Sequence, residues 1–415
     1  MAKKIPSLLL KNGQLATLQD DGEAFGLIPD GSIIVRDGII EWVGEESDRP
    51  SISSDIEIDL DGRLVTPGLI DCHTHLIFAG DRSDEFEARL NGVSYSDIAQ
   101  AGGGIFSTVR STRAASEDML VQTGTQRLLR LASEGVTTVE VKSGYGLDLE
   151  TECRMLRAAR RAGAATHLDV RTTYLGAHMV PPEYTNRRQD YVGYICDEVL
   201  PAVVDQDLAD AVDGFCEGIA FTTDEMDAIF EAATELNLPV KLHAEQLTDQ
   251  GGAELAASHG ALSVDHLEYL TEDGVIAMAR AGSVAVLIPG AFYYLREHQL
   301  PPVELLRRYN VPIAVATDLN PGSSPVFSLL TAMNMACVQF SLTVEEVLAG
   351  VTCHAASALG LPDRGVIKPE NIADLAIWDV ARPAQLVYPV GLNPCSGVIK
   401  GGEIIAAPEG QVQGA

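Results

Sequence analysis

The sequence predicts an α/β protein: a (β/α)8 TIM-type barrel with a small β-sandwich domain built from both termini. Three observations lead there. Strand-like runs alternate with helix-length stretches through the middle of the chain, both ends alternate apolar with polar residues between turn signals, and His and Asp recur where strand-like runs end. A barrel gathers its active-site side chains at such strand ends. With 415 residues, 46% of them hydrophobic, the chain can bury a large core beside a smaller unit. We place the boundaries at 1–66, 67–365 and 366–415. A doubly wound sheet fits the same alternation, but several distant strand ends meet at one point more readily in a closed barrel.

Near the start, Leu8-Leu9-Leu10 stops at Lys11-Asn12-Gly13, too short for a membrane span or an export signal. Residues 32–44 carry two β-prone runs joined by Asp37-Gly38, a hairpin signal. Further strand-like runs lie at 63–66, 136–141, 238–242 and 284–288, and helix-like stretches at 116–131, 149–162, 223–236 and 343–348. The β texture of the start returns at 373–379 and 396–405. A net charge of −30 and a pI near 4.5 argue against nucleic acid as a partner, because phosphate backbones attract basic surfaces. Cys72, Cys153, Cys196, Cys216, Cys337, Cys353 and Cys395 show no paired framework, as expected of reduced thiols in the cytoplasm.

The most informative segment is Gly68-Leu69-Ile70-Asp71-Cys72-His73-Thr74-His75. Two imidazoles two residues apart at a strand exit can aim at one ion. The runs ending in His243, in Val264-Asp265-His266 and in Thr317-Asp318 supply more donors. We assign His73, His75, His243 and Asp318 as ligands of a divalent metal, zinc or iron, both of which accept this donor set. His266 is either a ligand or a proton-transfer group. Asp318 or His266 would accept a proton from metal-activated water attacking a carbonyl, then return it to a leaving nitrogen. Lys142 raises the alternative of a carbamylated bridge between two metals.

The Pro-Gly-Leu-Ile-Asp-Cys-His-Thr-His opening, the later strand-end histidines and the late Asp resemble the metal-dependent amidohydrolase superfamily. Within it, the chain is similar to the cyclic-amide hydrolases of histidine breakdown. That similarity rests on residues 85–92, 101–105 and 140–148, on Thr173-Tyr174-Leu175-Gly176-Ala177-His178, on His243-Ala244-Glu245-Gln246, and on Asp318-Leu319-Asn320-Pro321-Gly322-Ser323-Ser324-Pro325. The resemblance implies 4-imidazolone-5-propanoate as substrate, N-formimidoyl-L-glutamate as product, one metal ion per chain (Zn2+ or Fe2+/Fe3+) and a homodimer, with no nucleic-acid or membrane partner.

By the same resemblance, Arg82 meets the substrate, Tyr145 lies beside its ring and tail, and His178 contacts the imidazolone. Composition alone would make these a surface Arg, a packed loop aromatic and a turn His. The resemblance also puts Asn320, Gly322 and Ser323 at the carboxylate end, where backbone donors of a turn can ring an anion. Where some members carry an acidic pair, this chain reads Glu245-Gln246. Gln246 is therefore a substrate binder, since an amide cannot act as a carboxylate base. Catalytic duty falls to His266 and Asp318, with Glu245 orienting the ring or a ligand histidine. Gly102-Gly103-Gly104 lacks the following Gly-Lys-Ser/Thr of a phosphate loop and reads as a turn or lid near the substrate. His167, His259, His298 and His354 have no comparable context. A heterocycle deaminase and a noncatalytic metal-dependent binding protein remain the alternatives.

Overall fold

Alternating apolar residues fold the N-terminal segment into β1 (Leu8–Ala16), β2 (Leu27–Arg36), β3 (Ile39–Glu45), β4 (Ile56–Asp59) and β5 (Leu64–Pro67). The computed structural model describes residues 5–20, 22–93, 102–408 and 412–413. Residues 1–4 of the N-terminal run and Ala101 of the glycine motif lie outside them. Arg36 pairs with Ile39 across the predicted hairpin, and Asp37 and Gly38 both take positive φ (51° and 83°). That is the backbone a two-residue loop needs to follow strand twist.

Eight strands then follow: β6 (Leu69–Asp71), β7 (Val136–Lys142), β8 (Asp169–Ala177), β9 (Ala211–Cys216), β10 (Lys241–Ala244), β11 (Ser263–His266), β12 (Val284–Leu287) and β13 (Ile313–Val315). They pair in sequence order, each parallel to the next. Parallel neighbours require crossovers, and helices such as Glu117–Ala132, Leu149–Thr166 and Thr223–Glu235 supply them close to the predicted bounds. Thr222 and Glu225 form a capping box at the start of the last of these. The β6–β13 seam closes mainly beyond the strand ends. Asp318 N–H donates to His73 O (2.9 Å) and His75 N–H to Leu319 O (3.0 Å). The buried Asp71 carboxylate accepts Thr317 N–H (3.1 Å) and Oγ1–H (2.6 Å). Barrel closure and the placing of three predicted metal ligands are thus one event.

The C-terminal strands β14 (Leu375–Trp378), β15 (Cys395–Lys400), β16 (Glu403–Ala406) and β17 (Val412–Gln413) join β1–β5. The sandwich expected of the termini takes the form of one nine-stranded mixed sheet forked at β1, which pairs β4 through Leu8–Lys11 and β5 through Gln14–Leu15. Antiparallel β14 and β5 form the layer against the barrel. Val65, Leu375 and Ile377 pack into the terminal sheet's own core with Leu8, Leu10 and Ile33, while Leu64, Ala376 and Trp378 pack into the barrel's. This is the period-two alternation of a strand buried on both sides. Trp378 Nε1–H donates to Thr66 Oγ1 (2.9 Å), and Gly68 N–H, between β5 and β6, donates to Asp374 O (2.8 Å). No helix among the described residues is long and apolar enough to cross a membrane.

Candidate metal and substrate site

Polar residues interrupt the apolar barrel strands at alternating, inward positions: Glu140 and Lys142 on β7, Asp213 on β9, Lys241 and His243 on β10, and Asp265 on β11, all buried. Just past β6 come His73 and His75, and past β13 comes Asp318. His266 and Asp318 adopt left-handed backbone, with φ of 83° and 50°. Non-glycine residues hold that conformation only where surrounding structure enforces it.

Donor atoms converge here. His73 Nε2 lies 3.2 Å from His75 Nε2, which lies 3.3 Å from His243 Nε2. Asp318 Oδ1 is 3.5 Å from His73 Nε2 and 3.3 Å from His75 Nε2. A tetrahedral ion with ligands at about 2.0–2.1 Å spaces its donors about 3.3–3.4 Å apart. His73 Nδ1 faces Asp265 Oδ2 at 2.6 Å and His243 Nδ1 faces Asp213 Oδ2 at 3.1 Å. Each carboxylate accepts an Nδ1–H, so both Nε2 lone pairs point into the cluster with no proton between them. A cation resolves that repulsion, and the donor set fits one. His73, His75 and Asp318 form one metal-type cluster; His73, His243 and His266 form another that shares His73.

Electrostatics agree with this arrangement. Burial pushes the Asp318 carboxyl up, but the adjacent imidazoles of His73 and His75 outweigh it and hold Asp318 well below the usual carboxylate range. Burial drives His266 down to about 3, leaving a neutral imidazole whose Nδ1 has no partner among the described residues. His178, held well below its ordinary range by burial and then by His75 and His243, is neutral as well. Lys142 behaves oppositely: burial lowers it, but Asp213, Glu140 and Asp265 more than compensate and raise it.

Above the cluster opens a cavity of about 460 Å³. Arg82, Tyr145, His178, Gln246, His266, Asp318, Asn320, Gly322 and Ser323 of the predicted set line it, with His75 and His243 at its floor. The His178 ring stacks on His75 at 5.3 Å and lies 5.6 Å from Tyr145. Arg82 precedes the helix Ser83–Leu90 and forks onto Glu85 through Nε (2.9 Å) and Nη2 (2.7 Å). Glu85 Oε1 also accepts Gly104 N–H at 3.0 Å, which ties the glycine motif to Arg82. A Cβ on Gly322 would collide with Arg82 Nη1, so glycine there gives the guanidinium its place.

Two predicted features differ in the structure. The turn's N–H groups do not stand free for an anion: Asn320 Oδ1 accepts those of Gly322 (2.8 Å), Ser323 (2.7 Å) and Ser324 (3.4 Å). Glu245 is not brought to the cavity or to any ligand histidine. Its φ of 50° turns the side chain toward the start of helix Gly252–Ser258, where it accepts Gly252 N–H (2.7 Å) and Ala253 N–H (3.1 Å). Of the remaining histidines, His259 pairs with Asp227 (2.7 Å) and His354 with Ile313 O (2.9 Å).

The amidohydrolase family pattern matches residues 64–406, spanning barrel and metal cluster. The chain belongs to the amidohydrolase family. It is 60% identical over 390 residues to imidazolonepropionase of Ralstonia nicotianae, covering 94% of this chain and 96% of that one. It is 56% identical to imidazolonepropionase of Paracoccus denitrificans, over 96% of this chain and 100% of that one. Among solved structures, 5-methylcytosine deaminase from Klebsiella pneumoniae superposes with a TM-score of 0.74 at 16% identity, covering 97% of this chain and 98% of that one. The atrazine chlorohydrolase TrzN from Arthrobacter aurescens, complexed with zinc, superposes at 0.70 and 17% identity, covering 97% and 96%. At such identities these two share the fold.

In this amidohydrolase, several residues that sequence reasoning passes over prove central. Asp265 and Asp213 pair with the buried imidazoles of His73 and His243, while Phe215, Arg89 and Glu297 line the cavity. The available signal is a carboxylate at an alternating position inside an apolar strand, which must find a buried partner.

Proposed function

We propose that the chain hydrolyses the cyclic amide of 4-imidazolone-5-propanoate to give N-formimidoyl-L-glutamate. The observation that carries this reading is the opening of one cavity onto both His75, His243 and Asp318 of the donor set and the side chains of Arg82, Tyr145, His178 and Gln246. His73, His75, His243 and Asp318 would hold one metal ion per chain, Zn2+ or Fe2+/Fe3+. When bound, such an ion supplies Lewis acidity, lowering the pKa of water and polarising an amide carbonyl.

The chain's own residues do the rest. Arg82 pairs with the propanoate, Tyr145 and His178 flank the planar ring, and Gln246 both donates to and accepts from its polar edge. Water adds to the ring carbonyl carbon while Asp318 or His266 takes its proton. The carbonyl carbon–nitrogen bond then breaks, and the same group returns the proton to the departing nitrogen. Ser323 and Asn320 border the carboxylate end with Gly322. All seven cysteines are free, which suits a reducing compartment, and we place the protein in the cytoplasm as a homodimer.

Incubating purified protein with fresh 4-imidazolone-5-propanoate and reading the product by mass tests the reaction. A gain of one water supports it. Ammonia release without ring opening would assign a deaminase, and firm metal and ligand binding without turnover at any pH would assign a binding protein.

A further inference from the structure

Lys142, singled out in the sequence, plays no part in the reaction above. Its Nζ sits in the barrel interior, fully buried, 2.7 Å from Asp213 Oδ2, 2.9 Å from Glu140 Oε2 and 3.6 Å from Asp265 Oδ2. On Asp265 that oxygen is the one that faces a ligand imidazole, and on Asp213 both oxygens face one, with Oδ1 3.2 Å from His243 Nδ1. Asp265 Oδ2 is 2.6 Å from His73 Nδ1, and Asp213 Oδ2 is 3.1 Å from His243 Nδ1. One ammonium is thus joined, through the carboxylates of Asp213 and Asp265, to two of the four metal-site residues.

Other contacts fix the rest of the frame. Lys241 Nζ donates to Glu140 Oε2 (2.8 Å) and Cys72 O (3.1 Å), Ser263 Oγ–H to Asp265 Oδ1 (2.5 Å), and Gly214 N–H to Asp213 Oδ1 (2.7 Å). Lys241 reaches neither aspartate in these contacts, so Lys142 alone bridges Asp213 to Asp265 among the described residues. Without it, Asp213 would lose its ammonium partner and Asp265 would keep only the charge of Lys241, so the two buried carboxylates would shift against the imidazoles.

We propose that Lys142 is a positioning residue: its ammonium holds Asp213 and Asp265 as aligned acceptors, so that His73 and His243 present Nε2 to the metal. This inference rests on the metal-ligand assignment above. It makes Lys142 a fixed internal cation rather than a carbamylated bridge between two metals. Its role lies in metal retention and ligand geometry, not in substrate contact.

The test titrates cobalt(II) into metal-stripped wild-type protein and Lys142→Met against a competing chelator, with visible d–d absorption reporting ligand geometry. The proposal expects wild type to bind one cobalt with a single, well-defined d–d spectrum. Lys142→Met, folded by circular dichroism, should bind about 10–100-fold more weakly with altered bands. It should keep the wild-type KM when metal-saturated. If Lys142→Met does not fold, Lys142→Gln, which retains a donor, should fold and show a smaller loss in the same direction. Wild-type affinity and spectrum in whichever variant folds overturn the proposal, as does binding of two cobalt ions by the wild type. Failure of wild type to bind cobalt would instead sink the ligand assignment on which the proposal stands.

Discussion

At the floor of the cavity, Glu140, Lys142, Asp213, Lys241, His243 and Asp265 reach inward from four strands, each fully or almost fully buried and each braced by another member. At the rim, Arg82 and Asn320 stand on connecting segments and satisfy themselves with near neighbours, Arg82 with Glu85 and Asn320 with its own turn. The floor contacts of Lys142 with Asp213 and of Lys241 with Glu140 bridge elements far apart in sequence, whereas these rim contacts are three residues apart. Strand ladders fix the floor before any ligand arrives, which is the preorganisation that charge-handling chemistry needs. The rim must exchange a partner to receive an anion, so it trades rigidity for recognition.

Substitutions at the two levels should therefore fail differently. The largest effect is expected at the floor's upper edge. Asp318→Asn and His266→Ala should each lower kcat by about 10²–10⁴-fold in folded protein of verified metal content, because a proton-transfer group is lost. Near-normal turnover of metal-loaded His266→Ala would leave proton transfer to Asp318 alone. At the rim, Arg82→Met should lower kcat/KM by at least ~10-fold, the equivalent of a charge-assisted contact of about 1.5–3 kcal/mol. Unchanged kinetics would move the carboxylate partner away from Arg82. Gly322→Ala should copy that phenotype more weakly, raising KM and sparing kcat, because its methyl group displaces the guanidinium. A fall in kcat with KM intact would place Gly322 in the chemistry instead.

The smallest kinetic effect belongs to Glu245. Because its carboxylate receives the first N–H groups of helix Gly252–Ser258, Glu245→Gln should cost about 1 kcal/mol of stability, read by denaturant unfolding. It should change kcat/KM by less than the ~10-fold that about 1.4 kcal/mol represents. A larger kinetic loss at unchanged stability would return Glu245 to the catalytic group.

Legibility in the sequence follows the same division. His73, His75, His243 and Asp318 are readable because each ends a β-prone run, and a barrel directs strand ends to one place. Strand-like runs likewise reveal β7, β10 and β12 but not β8 or β9, and alternation reveals the hairpin at Asp37-Gly38. Roles that depend on pairing across the barrel are not readable: Asp213 and Asp265 matter through Lys142 and the Nδ1 atoms, and no local pattern gives the register between β7, β9 and β11. Glu245 misleads for a different reason. It adjoins a ligand histidine and Gln246, yet a single left-handed residue aims it at a helix end. Similarly, the Asn320 turn has the composition of an anion nest but fills that nest with its own amide oxygen.

The strand pair that joins the terminal sheet to the barrel also dictates an order of assembly. The first two metal-site histidines follow β5 and β6 directly, and the Gly68 joint between those strands is tied to Asp374 O. The neighbouring Thr66 is gripped by Trp378, 312 residues further along. On a ribosome, His73 and His75 emerge early, but the strand that braces them emerges near the end of synthesis. Contacts of such span close slowly, because their loop entropy is lost before any contact repays it. The joint that leads into His73 and His75 is thereby completed only near the end of synthesis, and a polypeptide cut short before β14 would carry those two histidines without it.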